Sequence, residues 1–194
     1  MGGVDRVAAA PGVDVFPRAF AVVEEHEGAV YTDDPSDHGG PTCRGLTLTL
    51  FRAWKRRPEA TAEELSRITR DDVMACFREC FWEPYGYGRV ADPIVATKLL
   101  DTTVNLGPAR AHRIAQLAAS RCGHHLLIDG VLGSKSLAAL NASEPRPLLR
   151  VWCSEQREYY LRLISADPTQ ARFRAGWLRR AAWPWGALEG FAAC

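Results

Sequence analysis

The chain has 194 residues, a length that fits one domain or one domain with a small appendage and excludes a large multidomain assembly. With 47% hydrophobic and 24% charged residues it can bury a real core, which excludes a disordered tail or a fibrous repeat. A formal net charge of +1 gives no whole-chain attraction to nucleic acid or membrane surfaces, although residues 146–194 hold eight arginines against Glu155, Glu158, Asp167 and Glu189. That basic end is read as either a solvated face, with Trp177, Trp183 and Trp185 among its arginines, or a patch that grips an anionic partner.

The six cysteines form no CxxC pair and the chain is too long to need stapling, so reduced thiols are expected and neither a disulfide framework nor a zinc cluster. Cys76 and Cys80 are four apart on a helical pattern and are read as core packing. Residues 1–11 lack the apolar run of a secretory signal, and no stretch of about 18 apolar residues occurs anywhere. A protein made in the cytoplasm without its own export signal is therefore expected.

In chain order, the first element is a helix from Pro17, with Phe16, Phe20, Val23 and Glu27 at spacings of four, three and four and Gly28 as its stop. Residues 28–47 are rich in Gly, Pro, Asp and Thr and read as a loop with a small hairpin. Helical pattern resumes at 48–57. Thr61 with Glu64, and Thr69 with Asp72, resemble capping boxes, the second opening a helix to about Trp82. Asp92-Pro93 and Gly107-Pro108 open helices at 93–104 and 108–122, and further helices are expected at 134–141, 147–165 and 168–182. The fold class is α+β, predominantly α-helical, with a small β-hairpin between helices 1 and 2.

Glu27 breaks the helical rule, because it is the next stripe position after three apolar residues. It also lies on the last turn, where the negative end of the helix dipole and an apolar surround favour the protonated acid, as a glycosidase needs for its leaving oxygen. The competing reading is a buried Glu paired with an arginine; the pattern leaves both open. Glu24 and Glu25 point elsewhere and are read as solvated. The loop that follows brings Asp33, Asp34, Asp37, Thr42 and Thr47 back toward the helix end. Asp33 and Asp34 flank a turn, whereas Asp37 precedes His38-Gly39-Gly40, where the backbone can approach a ligand. Asp37 is the better partner for Glu27.

The run HEGAVYTDDPSDHGGPTCRGLT resembles the signature of the glycoside hydrolase 108 family of phage and bacterial lysozymes. The resemblance continues through Phe81-Trp82, DTTVNLGP at 101–108, IDGVLGSKSLAAL at 128–140 and RFRAGWLRR at 172–180. It implies a lysozyme-like fold, with a catalytic region at 12–105 and a peptidoglycan-binding helical region at 106–185. It implies a muramidase, endolysin-type, that cleaves the β-1,4 bond between N-acetylmuramic acid and N-acetylglucosamine. Glu27 falls on the family's catalytic Glu, and the order Glu27, Asp37, Thr42 resembles the triad of T-even phage lysozymes, in which the Asp and Thr hold a water. Ala29 and His38 stand where Gly and Pro are usual. Tyr31, His38 and Asn105 are candidates for substrate contact, and Trp82 is read as core. His124 and His125 point apart and are read as surface or turn residues.

No cofactor or metal is expected. The expected partner is peptidoglycan, with no nucleic acid, an electrostatic contact to the anionic envelope, and a monomeric state. Without a signal, the protein would reach the wall through a pore or after lysis. A lytic transglycosylase and a noncatalytic peptidoglycan-binding or secretion-activating protein remain the competing readings, since the first of these needs a single Glu.

Overall fold

The computed structural model describes residues 14–28, 30–33 and 40–185. Its elements are α1 (Phe16–Glu27), β1 (Tyr31–Thr32), β2 (Thr42–Cys43), β3 (Leu46–Thr47), α2 (Leu48–Lys55), α3 (Ala62–Ser66), α4 (Arg70–Phe77), α5 (Pro93–Leu106), α6 (Pro108–Arg121), α7 (Ser134–Ala142), α8 (Pro145–Ala166) and α9 (Arg174–Ala182). This is the α+β, mostly helical class expected, with the sheet between the first two helices.

The apolar stripe of α1 is fully enclosed: Phe16, Ala19, Phe20 and Val23 are buried, and Gly28, at a φ of 75°, ends the helix. Both capping boxes are present, with Thr61 accepting from the Glu64 amide and Thr69 from the Asp72 amide. Three expected helices differ in detail. Residue 56 adopts a left-handed conformation that stops α2 at Lys55. The helix after Thr69 widens into a π turn at Arg78–Trp82, which turns Trp82 edge-on to Phe16, with ring centroids 5.3 Å apart. The expected helix at 168–182 is a 3-10 turn, Pro168–Phe173, that leads into α9.

The sheet is antiparallel in the order β1-β2-β3, and its register sets two rows. Thr32, Thr42 and Thr47 are directly opposed, as are Tyr31, Cys43 and Leu46. Opposed residues share a face. The second row carries the buried Cys43 and Leu46, so the threonine row faces away from the core. A two-residue turn joins β2 to β3, with Arg44 at φ 51° and Gly45 at φ 77°, the handedness that matches strand twist.

The axis of the molecule is α5, packed against α1, α6 and α8. Every residue from Val95 to Thr103 is buried. A helix buried all round is normally apolar. This one carries Lys98 and Asp101, and those two charges position the site.

Candidate active site

Glu27 ends α1 with its side chain 19% exposed, so a solute can reach it. Its Oε1 accepts a 2.6 Å hydrogen bond from a guanidinium N–H of Arg180 on α9. Oε2 accepts no hydrogen bond among the described residues. Gly45 holds the other side: a Cβ built there would stand 2.5 Å from the Glu27 Cγ and 3.0 Å from its Cδ. Only a glycine lets the hairpin turn lie against this carboxylate, and the positive φ at residue 45 reinforces the requirement.

Behind Glu27 lies a buried charge cluster. Arg180 donates through Nε to Asp101 Oδ1 at 2.9 Å, and His26 Nδ1 donates to the same oxygen at 2.8 Å. The Asp101 side chain is fully buried and Oδ2 has no partner among the described residues. Burial opposes ionisation of Asp101, but Arg180, His26 and Lys98 together outweigh it and hold the carboxyl below its ordinary value. Burial would weaken the Arg180 cation, yet Asp101 and Glu27 raise it above its ordinary value. The fully buried Lys98 donates to the carbonyls of Arg180 and Ala181, at 3.0 and 3.1 Å, and of Trp183, at 3.1 Å. Its three protons thus cap the C-terminal end of α9, the end that favours a cation.

A second arm reaches the same place. Asn105, on the last turn of α5, accepts a 2.7 Å hydrogen bond from the Tyr160 hydroxyl through Oδ1. That hydroxyl accepts from Gln156 at 2.8 Å. Its ionisation is suppressed by burial and further by the negative charges of Asp101 and Glu27, against the opposing pull of Arg180 and Gln156. The ring of Tyr160 stacks on Trp177, 5.1 Å between centroids, and Trp177 on Phe173 at 5.6 Å. Trp177 precedes Arg180 by three residues and so shares its face of α9. The Asn105 amide nitrogen donates to nothing among the described residues and is available to a carbonyl.

The expected site residues are placed as follows. Glu27 and Asn105 lie in the neighbourhood of Arg180 and Tyr160. Thr42 is half-buried on the outward threonine row, three residues before Gly45, with its hydroxyl donating to the Gly40 carbonyl at 3.1 Å. Tyr31 sits on the opposite, core-facing row and donates to Asp33 at 3.3 Å. Asp37 and His38 lie outside the described residues. Trp82 is core.

Two expectations need correction. Glu24 is not simply solvated, because Arg70 grips both its oxygens at 2.8 and 2.9 Å. The basic end is not one surface either: Arg174 and Arg179 are exposed, but Arg180 is buried and committed to Glu27 and Asp101. Reading along the chain assigns no site role to Arg180, Asp101, His26 or Tyr160. The signal for Arg180 is present in the alternative that Glu27 pairs with an arginine. Lys98 and Asp101 carry no signal in the spacing of α5, whose central position alone buries them.

Comparison with known proteins identifies the regions that carry these residues. Residues 20–107 match the family model described as glycosyl hydrolase 108, and residues 110–182 match the model described as "Predicted Peptidoglycan domain". The solved structure titled "Structure of Brucella abortus SagA" is similar at 28% identity and a TM-score of 0.70, over 86% of this chain and 88% of that one. No curated protein matches the chain. The likeness makes the fold lysozyme-like. Arg180 lies in the second matched region and Glu27 in the first, so the site draws on both.

Proposed function

From a chain that carries a glycosyl hydrolase 108 region followed by a peptidoglycan domain, and so is a peptidoglycan hydrolase, we propose the finer activity of a muramidase of the endolysin type. Its substrate is the β-1,4 bond between N-acetylmuramic acid and N-acetylglucosamine. The observation that carries the reading is the geometry of Glu27: one oxygen is held by Arg180, and the other, at an accessible helix end, has no partner among the described residues. Such a carboxyl can deliver a proton in one fixed direction, which is what protonation of a glycosidic oxygen requires.

The proposed reaction is a single displacement. Glu27 protonates the leaving oxygen as its bond to the muramic C1 breaks. Asp37 takes a proton from a water that attacks C1 on the opposite face, with Thr42 as second anchor for that water. A separation of about 6.5 to 9.5 Å between the two carboxyls leaves room for the water. The Asn105 amide nitrogen serves an N-acetyl carbonyl in the cleft, and Tyr31 and His38 are the remaining candidates for substrate contact. The protein acts on the wall after passage through a pore or after lysis.

Mass spectrometry of products from purified peptidoglycan tests the reading. Reducing N-acetylmuramic acid ends are expected. Anhydro ends would show a lytic transglycosylase, and undigested walls a noncatalytic binding protein.

A further inference from the structure

A carboxylate paired with a buried arginine is normally held ionised, and an ionised Glu27 has no proton for a leaving group. Arg180, however, is shared. Its Nη2 donates to Glu27 Oε1 at 2.6 Å and its Nε to Asp101 Oδ1 at 2.9 Å, so two carboxylates on different helices hold one buried cation. Their surroundings differ: the Asp101 side chain is 0% exposed and that of Glu27 19%.

Asp101 is the one equipped to stay charged. Burial opposes its ionisation, but Arg180, His26 and Lys98 outweigh burial, with His26 Nδ1 donating at 2.8 Å to the same Oδ1 that Arg180 holds. Burial would likewise depress Arg180, and Asp101, followed by Glu27, raises it above its ordinary value. With Asp101 ionised, Arg180 keeps a charged partner whether or not Glu27 carries a proton. Protonating Glu27 therefore strands no buried cation, which is the costly outcome when one member of a buried pair is lost.

We propose that Asp101 is a positioning residue for the hydrolysis, acting on Glu27 through Arg180: it takes up the guanidinium's charge, so that Arg180 orients the Glu27 carboxyl without stripping its proton. The inference rests on Glu27 being the general acid. Among the described residues, no other charged group near Glu27 supplies this balance. Arg44 on the hairpin turns to Glu24 at 3.8 Å, and Glu24 on α1 is gripped by Arg70. Lys98 on α5 is bound to the carbonyls of Arg180 and Ala181, and burial suppresses ionisation of Tyr160 on α8.

The pH dependence of kcat on solubilised peptidoglycan, between about pH 4 and 9, tests this, because a merely structural role lowers kcat without moving one limb of the profile. Activity at high pH is limited by loss of the acid's proton. In Asp101→Asn, which keeps the shape and the acceptor oxygen, the alkaline limb should move to lower pH by about one unit or more, the shift that an unshared cation imposes on a nearby carboxyl. The acid limb, set by the base, should stay. Asp101→Asn/Arg180→Gln removes both charges and should move the alkaline limb back up. If Asp101→Asn does not fold, Arg180→Gln is compared with the double variant: the limb should lie at higher pH in Arg180→Gln, where the Asp101 charge remains. An alkaline limb that stays in Asp101→Asn, or coincident limbs in that second comparison, overturns the proposal. Glu27→Gln separates this from the acid assignment. If Glu27→Gln is inactive while the limb of Asp101→Asn stays, only the role of Asp101 fails; if Glu27→Gln keeps the wild-type rate and limb, Glu27 is not the acid and both fall.

Discussion

Arg180 divides one positive charge between two carboxylates, Glu27 at 2.6 Å and Asp101 at 2.9 Å, and the planar fork of the guanidinium suits this division. A lysine has no such fork. Replacing Arg180 by Gln leaves Asp101 buried with His26 and Lys98 as its remaining partners, a loss that for broken buried pairs runs to about 3–5 kcal/mol. Urea unfolding should register it as a lower midpoint. Below that midpoint, kcat on peptidoglycan should fall about a hundredfold, the cost of misplacing a reacting group by about an ångström. The affinity for walls should hold. Arg180→Lys should recover part of the stability and less of the kcat, and a loss confined to wall affinity would refute the positioning role. Asp101 Oδ2 has no protein partner among the described residues, and its buried position leaves the site one acceptor short of full satisfaction.

At the scale of elements, the segment after α6 depends on one histidine. The Gly130 carbonyl can only accept, so His112 carries its proton on Nδ1 and its Nε2 accepts the Tyr87 hydroxyl at 2.8 Å. Tyr87 in turn meets Thr103 on α5 at 2.7 Å. Burial lowers the His112 pKa from its ordinary 6.5, against the smaller opposing pull of Gly130. The folded protein therefore binds fewer protons than the unfolded chain between the two values, and stability rises with pH in that window. The His112 contribution is complete above about 6.5 and declines as pH falls below it, with a slope of at most about 1.4 kcal/mol per pH unit. Chemical denaturation from pH 7.5 to 5 should show this decline, and His112→Gln should flatten it. An unchanged slope in the variant would mean that other groups set the acid limit.

Local rules made most elements legible. The stripe of α1, the two capping boxes, and Pro93 and Pro108 at helix starts follow from spacing and caps, and each is found. The π turn at Arg78–Trp82 and the 3-10 entry to α9 were not legible, because aromatic packing of Trp82 and the break at Pro168 act through tertiary context.

Across the whole molecule the site joins positions 153 residues apart in sequence, and this explains what a linear reading could not supply. Glu27 stood out because it interrupts an apolar stripe on its own helix. Arg180 did not, since it sits among seven other arginines at the basic end, and only the docking of α9 against α5, fixed by Lys98, separates it from Arg174 and Arg179. The two readings of Glu27, catalytic acid and arginine partner, are not exclusive: the pairing uses Oε1, and Oε2 has no hydrogen bond among the described residues. Arg180, held by Asp101, thus fixes the Glu27 carboxyl across the glycosyl hydrolase and peptidoglycan regions. Glu27→Gln keeps the size and the hydrogen bond to Arg180 but has no proton to give. Turbidity clearing of purified peptidoglycan by this variant is the most direct measurement. It should fall by roughly 10² to 10⁴ relative to wild type in a protein that still folds. Near-normal clearing by a folded Glu27→Gln protein would contradict the assignment.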